Sequence, residues 1–435
     1  MRANGSSRHA PGWGWLWLLA VTLTLTAYGI EPESPEPPAS QAEAADVSQF
    51  PAPTWNTPSF ASGAEVATDG SQTLVVWRDG SRPGEIHAAR VSRRGRLLDP
   101  NALQLNPAPA FQAGAPAVAF DGRHFLVIWP GEHSLLLVRV QPDGRVLDGP
   151  RPIAAISGDP SSTPGIACTW RKCLATWVDF GDPRRIRGVL LKTQDSGVST
   201  REVTLAHTLA ISSYGVPVAW SGQRFLVAWS DTRFGDFTPK IVAARVTGEG
   251  DVLDPGGIVL SDTPGSQTWV DLVGTRQGFF VAWSDTRGGT ARIFGTSVRL
   301  DGSIPDPDGA PLSRGPNDTL PSLAYDGQQV FATWSRLNPD RFSIRGNFVR
   351  SDGTVATPDG FRLSANEFVR EVEQDVVFQG EQYFMAFGGA PTIDEPPFQV
   401  ILGTRVRTDG TRVDIPALRI SHSPSVEGTA ALPAP

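Results

Sequence analysis

Few residues in this chain have the types and spacings that chemistry needs. Two cysteines occur, Cys168 and Cys173, and six histidines: His9, His87, His124, His133, His207 and His422. The cysteines are spaced Cys-x4-Cys, with no second pair and no accompanying histidine, which argues against a zinc or redox centre. The histidines show no partner at metal-ligand spacing and are assigned to surface or turn positions, so no metal is expected. Asp306-Pro307-Asp308-Gly309 is an incomplete calcium-loop pattern, and Pro307 points to paired turns instead. Gly-x-Ser-x-Gly, His-Glu-x-x-His, phosphate-loop and dinucleotide patterns are absent, so no catalytic residue and no cofactor is assigned.

What remains is a pentapeptide. Trp229-Ser230-Asp231-Thr232-Arg233 recurs unchanged as Trp283-Ser284-Asp285-Thr286-Arg287, with partial copies at Trp77-Arg78-Asp79 (with Arg82), Trp177-Val178-Asp179 and Trp334-Ser335-Arg336. Its aspartate can accept backbone N–H groups of a turn and pair with the arginine two residues on. Alternatively, these turns form an Arg-bearing rim that recognises an acidic or glycan ligand. On that reading the candidate binding residues are Asp79, Arg82, Asp179, Asp231, Arg233, Asp285, Arg287 and Arg336.

These turns belong to a repeat. The anchors Trp77, Trp129, Trp177, Trp229, Trp283, Trp334 and Phe387 end similar apolar runs at spacings of 52, 48, 52, 54, 51 and 53 residues. Each repeat contains four short apolar stretches separated by turns such as Asp121-Gly122, Asp143-Gly144 or Asp326-Gly327, where glycine accepts positive φ. Strands apolar on both faces need cover on both faces, which a ring of sheets provides. The expected fold is all-β: a single seven-bladed β-propeller over residues 55–423, four antiparallel strands per blade. A tandem of sandwiches and a solenoid are the alternatives. The 45 Gly and 38 Pro are then strand punctuation, and the net charge of −7 argues against a nucleic-acid partner.

Alignment on the anchors also places the cysteines. They lie nine and four residues before Trp177, where other repeats have Phe120 and Phe125, Trp220 and Phe225, or Phe378 and Tyr383. A large pair recurring at these places suggests residues facing each other across a hairpin, where a Cys168–Cys173 disulfide is geometrically reasonable. Two buried free thiols are the alternative.

Residues 1–29 look like a signal peptide: Arg2 and Arg8, then an apolar core from Trp13 to Ala27, too short to span a bilayer. Residues 30–54 form a Pro/Glu/Ala-rich linker, and 424–435 a tail. Leu25-Thr26-Ala27-Tyr28-Gly29 resembles a bacterial lipoprotein signal, except that Tyr28 stands where the lipidated cysteine belongs. The repeats resemble those of secreted bacterial propellers with Trp-Ser-Asp-x-Arg motifs, and loosely those of WD40 and Tol-type periplasmic propellers. The Ser-x-Asp-x-Gly-x-Thr-Trp box of sialidases is absent. The resemblance implies a fold and a secreted, periplasmic or cell-envelope location, with no transmembrane span beyond the signal. The expected function is non-enzymatic: binding or scaffolding through one propeller face, with a glycan or envelope protein as partner. The alternative is a secreted carbohydrate-active hydrolase or lyase with acids in the central channel.

Overall fold

The structure is a computed structural model describing residues 61–79, 84–106, 113–157, 163–195, 197–207, 215–234, 238–350, 353–364, 368–390 and 400–421. The expected signal segment 1–29, linker 30–54 and tail 424–435, together with His9, His422 and Arg82, lie outside the described residues.

All regular structure among the described residues is strand. The first repeat supplies β1 (Ala61–Thr68), β2 (Gln72–Asp79), β3 (Glu85–Ser92) and β4 (Leu103–Gln104). The second supplies β5 (Ala117–Phe120), β6 (Phe125–Pro130), β7 (Ser134–Val140) and β8 (Arg151–Ala155). The third supplies β9 (Gly165–Thr169), β10 (Lys172–Asp179), β11 (Arg185–Gln194) and β12 (Gly197–His207). The fourth supplies β13 (Val218–Trp220), β14 (Arg224–Asp231), β15 (Lys240–Thr247) and β16 (Ile258–Val259). The fifth supplies β17 (Gln267–Thr275), β18 (Gly278–Asp285), β19 (Arg292–Arg299) and β20 (Ala310–Pro311). The sixth supplies β21 (Asp318–Tyr325), β22 (Gln329–Leu337), β23 (Phe342–Arg350) and β24 (Phe361–Arg362). The seventh supplies β25 (Arg370–Phe378), β26 (Gln382–Ala390), β27 (Val400–Arg407) and β28 (Leu418–Arg419).

The strands pair in sequence order as antiparallel meanders. The first strand of each repeat packs beside the first strand of the next, from β1 through β5, β9, β13, β17 and β21 to β25, and β25 returns to β1. This closed ring of meanders is a β-propeller with four-stranded antiparallel blades. Its sheet count differs from the expected seven. Five sheets are separate four-stranded blades, whereas β21–β28 form one eight-stranded sheet. The cause is local: the Phe342 amide donates to the Val369 carbonyl at 2.9 Å, creating a single parallel bridge between Phe342 and Arg370.

Burial follows the repeat. Each hydrophobic cluster draws on two consecutive repeats and contains one anchor: Trp129 sits between the first and second, Trp229 between the third and fourth, Phe387 between the sixth and seventh. The anchors are at most 3% exposed, so each acts as a wedge between neighbouring sheets.

A second device also joins repeats. Arg90, Arg139, Arg245 and Arg405 each form a two-pronged ion pair with the aspartate nine residues on: Asp99, Asp148, Asp254 and Asp414. Three of them also donate Nη1 to a carbonyl of the following repeat: Arg90 to Pro142 at 2.7 Å, Arg139 to Gln194 at 2.9 Å and Arg245 to Leu300 at 2.9 Å. Such paired, partly buried guanidinium groups are worth more than exposed ion pairs.

Candidate functional site

The pentapeptide turns are internally bonded. The Trp229 indole N–H donates to Asp231 Oδ2 at 3.0 Å, the Arg233 amide donates to Asp231 Oδ1 at 3.0 Å, and the Arg233 guanidinium pairs with Oδ2 at 2.8 Å. The fifth repeat duplicates this: Trp283 to Asp285 at 3.0 Å, the Arg287 amide at 2.8 Å and its guanidinium at 2.7 Å. Both aspartate side chains are fully buried. Arg287 also lies 3.9 Å over the Phe294 ring. Asp179 accepts the Ser157 amide at 2.8 Å and pairs with Arg187 at 3.3 Å. Arg336, standing where the motif has aspartate, is buried and bonds Asp318 with two nitrogens at 2.7 and 3.0 Å. The structure thus places these candidate residues at the ends of separate second strands (Asp179, Asp231, Asp285, Arg336) and in the turns that follow them (Arg233, Arg287), each bonded within or beside its own repeat.

The third repeat departs from the rest. Cys168 and Cys173 are register partners across β9–β10, with Cα atoms 4.0 Å apart, and form a disulfide. In sister repeats the same places hold aromatic pairs: Phe120–Phe125 with centroids 4.9 Å apart, Trp220–Phe225 at 4.6 Å and Phe378–Tyr383 at 5.1 Å. The covalent bond therefore replaces a ring contact. The hairpin tip beyond it is Trp170-Arg171, with Arg171 at φ 56°. Trp170 is 67% exposed, and a Cβ at Gly122 of the preceding hairpin would collide with its ring. The Arg171 guanidinium sits 5.8 Å from that ring. Asp195 bridges Arg123 and Arg171, and Glu249 bridges Lys172 and Lys192. A shallow pocket of about 260 Å³, lined by Leu190, Lys192, Ser199, Thr200, Arg201 and Glu249, opens alongside. Its wall uses β12, 11 residues long where five other fourth strands have 2.

The ring axis carries acids that no motif announced. β1, β17, β21 and β25 each contain a bulge, and the residues after the register shift are Glu65, Asp271, Ser322 and Asp375. Two positions earlier stand Gly63, Trp269, Leu320 and Glu373, all left-handed at φ 65°, 52°, 54° and 56°. For the three non-glycine residues this is costly backbone, which surroundings must hold in place. It gives Trp269, which is not an anchor, a place in the architecture. The unbulged inner strands put Ala117 and Gly165 at the matching register. The acids converge across the ring: Glu65 of the first repeat senses both Asp375 of the seventh and Asp271 of the fifth. Burial, then these two carboxylates, raises the Glu65 carboxyl well above the usual range, and it hydrogen-bonds Asp375, whose own carboxyl burial also raises. Burial and Asp375 push Asp271 up to about 7, opposed by the Leu272 and Leu323 amides.

His124 falls in the β5–β6 turn, one of the expected placements, but is only 5% exposed, and burial lowers its pKa. Its backbone amide donates to Asp121 Oδ1 at 2.7 Å. His87 lies in β3, where its imidazole meets Asp79 and Glu85, a potential metal-ligand group despite the expected absence of any metal site. The sequence hid it because the ligands come from opposite strands of a hairpin.

No protein-family model matches the chain, and no curated protein matches it. Solved structures do. A protein of unknown function from Dyadobacter fermentans is similar at 10% identity and TM-score 0.46, covering 80% of this chain and 95% of that one. The β-propeller domain of the Trilobed protease from Pyrococcus furiosus is similar at 9% identity and TM-score 0.48, covering 84% and 99%. A GH43 endo-arabinanase from Bacillus licheniformis is similar at 14% identity and TM-score 0.37, covering 69% and 96%. None of these three reaches a TM-score of 0.5, so the fold assignment rests on strand order and the closed ring.

Proposed function

We propose that this protein is an exported, non-enzymatic binding propeller of the bacterial cell envelope that recognises a glycan at the hairpin tip of its third repeat. Trp170 is the observation that carries the reading. Large indole rings are normally buried or paired. This one is exposed, laid over Gly122 and presented by a hairpin closed with a disulfide. A flat aromatic face offers a stacking platform for a sugar ring, and its pre-organisation lowers the entropy cost of binding. Arg123, Arg171, Lys172, Lys192 and Arg201 outnumber Asp121, Asp195, Glu249 and Asp251 around it by one, which favours an acidic glycan. Export is supported by the signal-like residues 1–29 and by a disulfide suited to an oxidising compartment. We read the eight-stranded sheet as two blades joined by one bridge, seven in all, because Trp334 and Phe387 anchor separate clusters.

The test is a glycan array with acidic and neutral members, probed with the protein and with Trp170→Ala. Binding that disappears in the variant while its melting temperature stays unchanged supports the proposal. Binding retained by the variant, or none by the parent, sinks it.

A second reading, a hydrolase or lyase, is favoured by three buried carboxyls together at the ring axis, Glu65 raised beside Asp375 and Asp271 pushed up to about 7. Against it, Asp375 and Asp271 each accept an amide of the next repeat, Val66 and Leu323, both at 2.8 Å. Polysaccharide cleavage that is lost in Glu65→Gln would establish this reading; no cleavage across a substrate panel would remove it.

A further inference from the structure

The motif aspartates have a regular partner across the second and third strands. Arg185 stands opposite Asp179, Lys240 opposite Asp231 and Arg292 opposite Asp285. In the first repeat Glu85 stands opposite Asp79. Two carboxylates thus face each other where three sister repeats have an acid and a base, and like charges directly opposite destabilise a ladder. Strand alternation brings His87, two residues beyond Glu85, to the same face. Its Nε2 lies 2.9 Å from Glu85 Oε2 and 4.0 Å from Asp79 Oδ2. The Trp77 indole, opposite His87 in the ladder, stacks on the imidazole at 6.0 Å and 19°. One donor atom from each of the three residues falls within 4.8 Å of the others.

We propose that Asp79, Glu85 and His87 bind a divalent transition-metal ion, with zinc the best match. One imidazole nitrogen and two carboxylate oxygens form a donor set that suits zinc. Tetrahedral zinc with bonds of about 2.0–2.1 Å sets its ligand atoms roughly 3.4 Å apart. The observed 2.9 and 4.0 Å bracket that spacing. Calcium, which takes six to eight oxygens, fits this trio poorly. Side-chain exposures of 17% for His87, 16% for Asp79 and 10% for Glu85 leave it reachable from solvent. Three protein ligands leave a fourth position open to water or an exogenous donor.

The experiment is calorimetric titration of zinc chloride into chelator-treated full chain, beside His87→Ala and Glu85→Arg. Glu85→Arg installs the base that sister repeats carry, so thermal melting should report an intact fold. The expected result is one equivalent bound by the parent and affinity at least tenfold weaker in both variants. No zinc uptake by the parent, or uptake unchanged in both variants, overturns the proposal.

Discussion

The Asp375 carboxylate accepts the Val66 amide at 2.8 Å, joining residues 309 positions apart. This bond lies at the seam where the last repeat meets the first. Among the described residues no strand crosses that seam: β1–β4 and β25–β28 come each from one end of the described chain. Side chains close it instead. Glu65 hydrogen-bonds Asp375, Gln379 Nε2 donates to Thr73 Oγ1 at 2.6 Å, and Gln382 Nε2 donates to the Arg93 carbonyl at 2.7 Å. Trp77 wedges against Phe384 and Ile401 beneath them.

The acids at the ring axis make stability pH-dependent. Glu65 and Asp271 both titrate above their ordinary values of 4.5 and 3.8, Asp271 at about 7. A raised carboxyl pKa means the folded state holds its proton after the unfolded chain has released it. That contribution is complete below about pH 4 and is lost as pH rises through the folded values. Glu65→Gln keeps a donor for Asp375 without an ionisable group, so its melting temperature should fall less than the parent's between pH 5 and 8. Parallel pH profiles would refute this assignment.

The pentapeptide turns should behave as structure. Asp285→Ala strands the Trp283 indole N–H and the Arg287 guanidinium, both otherwise bonded to that carboxylate. We expect a loss of about 2–4 kcal/mol in denaturant unfolding. Wild-type stability in this variant would return these aspartates to the list of ligand contacts.

Replacing Cys168 and Cys173 together by serine opens a loop closed by a sequence separation of 5. Loop entropy puts the loss at about 2 kcal/mol. Reductant should lower the parent's melting temperature towards that of the double variant and leave the variant's unchanged. A parent insensitive to reductant after unfolding and refolding would contradict this.

Gly144 has two reasons to be glycine: φ is 90°, and a Cβ there would lie 2.7 Å from the Arg90 guanidinium of the preceding repeat. Gly144→Ala should cost about 1–3 kcal/mol. Part of the cost should vanish in an Arg90→Ala background, a non-additivity that a double-mutant cycle measures directly. Strict additivity would leave backbone strain as the sole cause.

Features that recur locally were legible in the sequence. The anchors are large residues in near-identical apolar runs, and the disulfide emerged by noticing what sister repeats hold at the same places. The nine-residue Arg-to-Asp pairs were equally visible, as in Arg90 and Asp99, but charged residues in turns look alike until geometry selects among them. The axis acids were hidden because each comes from a different repeat with different neighbours, and only the shared bulge aligns them. The sheet fusion at Phe342 depends on one backbone bond, which side-chain pattern does not encode. Asp79, Glu85 and His87 escaped because ligands across a hairpin have no characteristic sequence spacing.

Among the described residues, the uncrossed seam gives the ring a mechanical polarity. Every other boundary between repeats is spanned by the polypeptide itself, so tension drawn between residues 61 and 421 would load the boundary that the described residues hold by noncovalent bonds alone. By the same topology, a covalent link across the seam would let the chain be cut at another inter-repeat connection, yielding a circular permutant with the same ring.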